Sequence, residues 1–426
     1  MFLGEQIGRH DLRHPAGTVF FIGSFLLCVL AGCGNRTETQ GSVNHAITSM
    51  ESTPVIDYKV PEQTANILVD TLGYQTGSRK EAAIKGRTLP ESFRVIDAGT
   101  HQPVFEGEID RITYNAEMNL YTGYARFDDL NTDGKYYIEC DMIGQSYPFE
   151  IREDLYLQLF DRIYSEMVDK CDDRTLSLQG AIALLTAYEW YGDQFRDEDG
   201  DQIPDVLTSL SGWMEAYEEK AGDENRMLRT ALLAKYSYLY QNYDRRYATS
   251  CLQRATGLYE SAQNTLQKDA EYFFAVTELY RATGLYTYRV QIEDYAGFFA
   301  NSGSYLDEPE YLYGIMTYLV TRQKVDVDFC ENLMKILRKK GEEISSSYED
   351  IIHPVSARNN GSDDVLHHLR ELLFLNYVSD SYRYYNIDKD FLHYLAGRNL
   401  QSVCFFEADD HEGYILLLAQ LAAQKQ

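Results

Sequence analysis

The most constraining feature of this chain is a change of hydrophobic period near residue 155. Upstream, short β-prone runs (Ile67-Leu68-Val69, Phe93-Arg94-Val95-Ile96, Tyr136-Tyr137-Ile138) are separated by turn signals such as Asp97-Ala98-Gly99 and Asn131-Thr132-Asp133-Gly134. Downstream, apolar residues recur four apart: Leu155, Leu159, Ile163 and Met167, then Leu228 and Leu232, then Tyr272 and Val276. About eighty-five residues of short strands suggest a small β-sandwich. Roughly eleven or twelve helical segments with no strands between them suggest an α-solenoid or an α/α toroid. No fixed repeat of 34 or 40 residues recurs, which favours the toroid.

The ends of the chain add organisation. Arg9 and Arg13 precede an apolar run from Thr18 to Leu30, too short for a comfortable membrane span, and Leu30-Ala31-Gly32-Cys33 follows. This reads as a signal peptide over 1–32 with a bacterial lipobox, in which Cys33 becomes the lipidated first residue. An ordinary cleaved signal and an uncleaved anchor are the alternatives. Residues 33–65 are polar and aperiodic, a flexible tether. The domains expected are therefore 1–32, 33–65, a β-sandwich over 66–152 and a helical domain over 153–426. The localisation expected is extracytoplasmic, at a bacterial cell surface, with the membrane reached through the anchor at Cys33.

The formal net charge is -27, and the charges within residues 1–32 cancel, so the excess belongs to the rest of the chain. Such a field repels phosphate backbones and anionic headgroups, which argues against nucleic acid and against charge-driven membrane binding. A neutral polysaccharide, a peptide or a cation suffers no such repulsion, and a soluble acidic surface alone accounts for the excess equally well. Cys140, Cys171, Cys251, Cys330 and Cys404 are widely spaced with no CxxC pair, so buried free thiols are expected rather than a zinc site or a disulfide framework.

Asp197, Asp199 and Asp201, within Asp197-Glu198-Asp199-Gly200-Asp201, place oxygen ligands at alternate positions, as calcium loops do. Gln202 and Thr208 stand where an EF-hand needs Gly and Glu, so the competing reading is a solvated acidic loop ahead of a helix. No Gly-rich phosphate loop, Gly-x-Ser-x-Gly elbow or His-Glu-x-x-His motif occurs, and no cofactor is required beyond a candidate calcium. The 35 tyrosines could stack on sugars, but helical packing with the hydroxyl on a partner accounts for most of them.

Several motifs carry a family resemblance. Ile67-Leu68-Val69-Asp70-Thr71-Leu72-Gly73-Tyr74 resembles the opening of the immunoglobulin-like domain that precedes many glycoside hydrolase family 9 (cellulase-like) catalytic domains. Phe93–Asp97, Pro103–Gly107, Gly134–Ile138 and Tyr147–Ile151 continue it in order. The helical part resembles the same family at Ala187-Tyr188-Glu189-Trp190-Tyr191, Ile203-Pro204-Asp205-Val206-Leu207, Glu278-Leu279-Tyr280-Arg281-Ala282-Thr283-Gly284 and Tyr394-Leu395-Ala396-Gly397-Arg398-Asn399. The resemblance implies an immunoglobulin-like β-sandwich followed by an (α/α)6-type helical toroid, shortened and incomplete, with a β-glucan cleft across one end.

It also implies inverting chemistry, in which one carboxylate activates water and a second protonates the departing oxygen. The family's base lies in Asp-Ala-Gly-Asp-Tyr, shortly before the helix at 176–192. Here Cys171-Asp172-Asp173-Arg174-Thr175 stands instead, its acids read as a surface helix N-terminus. The family's His-His-Arg after Gly-Arg-Asn is missing, and His367-His368-Leu369-Arg370 precedes that motif within helical sequence. The acid-bearing Asn-Glu-x-Ala should open the last helix. Asp409-Asp410-His411-Glu412 stands there, with Glu412 the sole candidate acid. Two functions follow as expectations: a catalytically degenerate, glycan-binding lipoprotein, or an active β-glycosidic hydrolase of endoglucanase type with relocated acids.

Overall fold

The computed structural model describes residues 65–262, 267–301, 308–355, 361–379, 383–408 and 413–424. Cys33 and the whole of 1–64, with Asp409, Asp410 and Glu412, lie outside the described residues. No helix among the described residues is long and apolar enough to cross a membrane.

Nine strands build the N-terminal part: β1 (Ile67–Leu68), β2 (Tyr74–Gln75), β3 (Glu81–Gly86), β4 (Ser92–Asp97), β5 (Pro103–Asn115), β6 (Leu120–Arg126), β7 (Gly134–Cys140), β8 (Gly144–Gln145) and β9 (Phe149–Arg152). They form two sheets, β1-β3-β6-β5 and β5-β4-β7-β9-β2, with β8 paired to β7. The long β5 belongs to both: Pro103–Glu108 pairs with β4, and Ile109–Asn115 pairs with β6. A register shift between Asp110 and Thr113, with Arg111 at φ +49°, lies just past this crossing. Alternation sends Phe93, Val95, Ile138, Phe149 and Ile151 into one buried core, with Tyr74 edge-on to Phe127 and Phe149.

Among the described residues, twelve helices of eight residues or more follow, in the number the periodicity suggests. They are α1 (Leu155–Asp172), α2 (Leu178–Tyr191), α3 (Asp205–Lys220), α4 (Arg226–Tyr240), α5 (Arg245–Ala262), α6 (Ala270–Thr283), α7 (Tyr286–Glu293), α9 (Pro309–Val320), α10 (Val327–Ile351), α11 (Ser362–Val378), α12 (Tyr385–Leu395) and α14 (Ile415–Ala423). Two shorter helices, α8 (Ala296–Asn301) and α13 (Phe405–Ala408), complete the set.

Burial sorts them into two layers. On α1, α5 and α10 the buried residues form a single stripe, such as Phe329, Leu333, Leu337 and Ile344. On α2, α4, α6 and α14 buried residues run consecutively, from Tyr272 to Arg281 without a break on α6. A helix buried on all sides is an inner one, and a striped helix is an outer one. The inner helices contact one another in the order α2-α4-α6-α9-α11-α14 and back to α2. Among the described residues the inner helices therefore form a closed ring, where an incomplete toroid was expected.

The buried centre of the ring is polar where α2, α4, α6 and α9 meet. Glu189 pairs with Lys235 and Arg281, Lys235 lies 3.5 Å from Glu278, and Thr317 donates to Glu278 at 2.8 Å. Burial pushes the Glu189 carboxyl up, but Arg281 and Lys235 outweigh it and hold it well below the usual carboxylate range. Tyr238 carries the Arg281 guanidinium 4.5 Å above its ring, and Tyr236 donates to the Leu207 carbonyl at 2.8 Å. The Tyr236–Tyr240 run is thus packing, as the composition argument favoured. All five described cysteines are free, and three of them are buried.

Candidate active-site face and the acidic loop

Alternating outer and inner helices make the six inner helices run the same way, so their N-terminal ends share one end of the ring. The connections from outer to inner helices lie there. The family's base and acid, carried over by resemblance, belong at the N-terminal ends of α2 and α14, which are neighbours in the closed ring.

The connection into α2 is short. Asp172 is the last residue of α1 and Asp173 caps its C-terminus, both exposed. This corrects the expectation of a helix N-terminus: Ser177, accepting from Gly180 N at 2.9 Å, is the residue that starts α2. Arg174, at φ +61°, takes the left-handed position after α1, and its N–H reaches the Cys171 carbonyl at 3.0 Å. No described carboxylate from this connection is paired with a second one.

A different set of acids gathers farther round the same face. Glu271 is in the first turn of α6 and Glu310 in the first turn of α9, and these two inner helices pack side by side. Burial pushes the Glu271 carboxyl up, and the nearby charges of Asp269 and Glu310 add to it. Burial likewise raises Glu310, against the pull of Arg370 on α11. One turn away, His367 Nε2 lies 3.3 Å from Glu371 Oε1. The sequence reading did not single out Glu271, Glu310 or Arg370. Pro309 at the first position of α9 is the helix-start signal that would have located Glu310. His367 and His368 sit within α11, as the helical reading held.

The acidic loop folds differently from its sequence spacing. One carboxylate oxygen each from Asp197, Asp199 and Asp205 lies within 4.8 Å of the others, whereas Asp201 caps the chain by accepting from Ile203 N at 2.7 Å. Asp197 accepts from Gly200 N and Gln202 N, and Asp205 from Glu198 N. Oxygens at that separation fit the 2.3–2.6 Å ligand distances of calcium. Asp205, the first residue of α3, enters the set that the alternate-position pattern had assigned to Asp201.

The motif Tyr394–Asn399 has a structural task. Thr71 donates from N and Oγ1 to the Ala396 carbonyl at 2.9 and 2.7 Å, and Arg398 reaches Glu81 at 3.3 Å. Gly397 takes φ +123°, a backbone that side chains disfavour, and a Cβ there would also press on Val69 O at 3.1 Å. The motif docks the helical ring onto the β-domain.

Comparison with known proteins places this geometry. The sequence model of the cellulase N-terminal ig-like domain matches residues 62–145, and that of glycosyl hydrolase family 9 matches residues 184–407. A metagenome-derived glycoside hydrolase family 9 endoglucanase superposes with a TM-score of 0.66 at 16% identity, covering 80% of this chain and 84% of that one. A family 9 protein of Bacteroides ovatus gives 0.64 at 16%, covering 80% and 86%. AaCel9A, solved with cellobiose-like isofagomine, gives 0.63 at 14%, covering 80% and 84%. At these identities the likeness is one of fold. No curated protein sequence matches.

Proposed function

Because the chain belongs to glycosyl hydrolase family 9, whose model matches residues 184–407 of its 426, we propose that it is a surface lipoprotein that binds β-glucan or a related plant polysaccharide without cleaving it. The observation that carries this reading is the short connection between α1 and α2. Where the family presents its catalytic base, only Asp173 to Ser177 link the two helices, and the acids there are exposed at the end of an outer helix. Inversion needs a base and an acid on opposite sides of the scissile bond, roughly 6.5–9.5 Å apart, and one carboxylate cannot fill both roles. In the same reading the lipid on Cys33 holds the protein at the cell surface. A calcium held by Asp197, Asp199 and Asp205 fixes the loop that leads into α3. The first is tested by replacing Cys33 with Ser, which should release the protein from the membrane fraction.

The Glu271–Glu310 neighbourhood supports a second reading, an active hydrolase with relocated acids. Burial raises both carboxyls, and a raised carboxyl beside a second one is the kind of pair from which an acid and a base can be drawn. Reducing-sugar release from β-glucans and xylans separates the two readings. The unaltered protein would be assayed beside a variant with Asp409, Asp410 and Glu412 neutralised, and another carrying Glu271→Gln and Glu310→Gln. No turnover from the folded protein supports binding alone. Turnover abolished in either variant overturns it and says which acids do the work.

A further inference from the structure

We infer that a cleft between the α1–α2 and α3–α4 connections is a binding subsite for a neutral hexopyranose unit, with Tyr217 as the surface on which the sugar ring stacks. The inference rests on the glycan-binding reading above and names where the glycan sits.

The cleft has a volume of about 450 Å³, within the range of small-ligand sites. Trp213, which is buried, stacks behind half-buried Tyr217 with ring centres 4.8 Å apart and planes 27° from parallel. Leu176 continues this apolar floor. Arg174, Lys220 and Glu224, all exposed, supply a rim carrying both charge signs. A pyranose ring has the complementary form: an apolar C–H face and equatorial hydroxyls that both donate and accept. A phosphorylated or anionic ligand fits poorly, since Glu224 is on the rim and the chain carries a net charge of -27.

The walls are held in place before any ligand arrives. Buried Arg229 grips Glu218 through two bonds of 2.7 Å and donates to the carbonyls of Gly222 and Glu224, at 2.8 and 3.3 Å, which pins the α3–α4 connection. The Trp213 indole N–H reaches the Leu176 carbonyl at 3.1 Å and ties the α1–α2 connection to α3. Both connections carry a non-glycine residue in the left-handed region, Arg174 at φ +61° and Asn225 at φ +50°. Strain of this kind persists where surrounding contacts over-determine it. A preformed wall reduces the ordering cost of binding. The cleft opens at the end of the ring where the outer-to-inner connections gather.

The test is isothermal titration of the purified full chain with cellotetraose, beside Tyr217→Ala, Tyr217→Phe and Lys220→Ala. Tyr217→Ala is expected to bind at least tenfold more weakly. Tyr217→Phe, which keeps the ring, should stay within about twofold, and Lys220→Ala should lose a few-fold. Circular dichroism and the melting temperature check that each variant is folded. In a Trp190→Phe background the emission of Trp213, the other tryptophan of the chain, should shift on addition of cellotetraose. Unchanged affinity in Tyr217→Ala with intact binding by the parent overturns this subsite and leaves glycan binding standing elsewhere. No binding by the parent to cellotetraose or to a xylan oligosaccharide overturns the subsite and the functional reading together.

Discussion

The carboxylate of Asp70 in the β-domain lies 2.7 Å from Nδ1 of His393 on α12, and both side chains are buried. Asp70 Oδ1 also accepts from Leu72 N and Gly73 N, at 2.8 and 2.9 Å. Burial lowers the affinity of His393 for a second proton, and the charges of Arg398, Lys389, Arg79 and Lys80 lower it further. Burial likewise raises the Asp70 carboxyl well above its usual range, against the pull of its two backbone donors, and the hydrogen bond between Asp70 and His393 is how the two buried groups satisfy each other. Beside it, Glu81 gathers Arg79, Arg126 and Arg398, and Arg79 and Arg398 also reach Asp390.

Asp70→Ala would strand two backbone N–H groups and Nδ1 of His393 in a buried interface. Each orphaned group costs about 1–3 kcal/mol, so a loss of about 3–5 kcal/mol is expected after partial relaxation. Urea unfolding monitored separately by tyrosine fluorescence and far-UV circular dichroism measures it. Two resolved transitions should replace one, as the β-domain and the helical ring uncouple. A single unshifted transition would show that the pair holds nothing together.

The ring centre makes a second prediction. Glu189, Glu278, Lys235 and Arg281 balance two negative against two positive charges in a buried cluster. Lys235→Met leaves an uncompensated anion and should cost about 3–5 kcal/mol. The double variant Lys235→Met with Glu278→Gln restores the balance and should recover much of that loss. Chemical denaturation of the two variants measures the coupling directly.

The residues that made the fold legible are the ones that hold it together. Ile67–Tyr74 and Tyr394–Asn399 form the two sides of one domain interface, while Glu189 and Glu278-Leu279-Tyr280-Arg281 supply the cluster at the ring centre. Period alone distinguished strand from helix, because β4 and β7 alternate and the outer helices carry one stripe. The site was less legible for a geometric reason. Glu271, Glu310 and Arg370 are far apart in sequence and meet only because α6, α9 and α11 are neighbours in the ring. The same holds for the stacking cleft, where Arg174 and Tyr217 come from different helix connections. In the acidic loop Asp197, Asp199 and Asp205 converge and Asp201 does not, since backbone turns rather than residue parity decide which carboxylates meet.

That loop gives a third prediction. If Asp197, Asp199 and Asp205 hold calcium, millimolar calcium should raise the melting temperature by several degrees, and EGTA should reverse the rise. Asp199→Asn should abolish the response, whereas Asp201→Asn should retain it, because Asp201 serves the Ile203 N–H. Differential scanning calorimetry with magnesium as the control ion checks both. Equal responses in the two variants would mean that the convergence of the three carboxylates does not select a cation.

Asp388 gives the fourth. It is wholly buried on α12, accepting at Oδ2 from Asn376 Nδ2 at 2.7 Å and Gln420 Nε2 at 2.9 Å, and Gln420 in turn accepts from Tyr191. Burial pushes its carboxyl up to about 8, against the pull of the Gln420 and Asn376 amides. A folded value above the unfolded one means that the native chain keeps a proton which the unfolded chain releases. The contribution is then present in full below about pH 4, declines as pH rises, and is flat above about pH 8, with a slope of at most about 1.4 kcal/mol per pH unit. Asp388→Asn removes that titration while preserving an acceptor for the two amides. Urea midpoints at pH 5, 6.5 and 8 should therefore show the variant gaining on the parent protein at each step upward. A difference that stays constant across the three pH values would mean that Asp388 is ionised in the folded protein, with the two amides stabilising the charge.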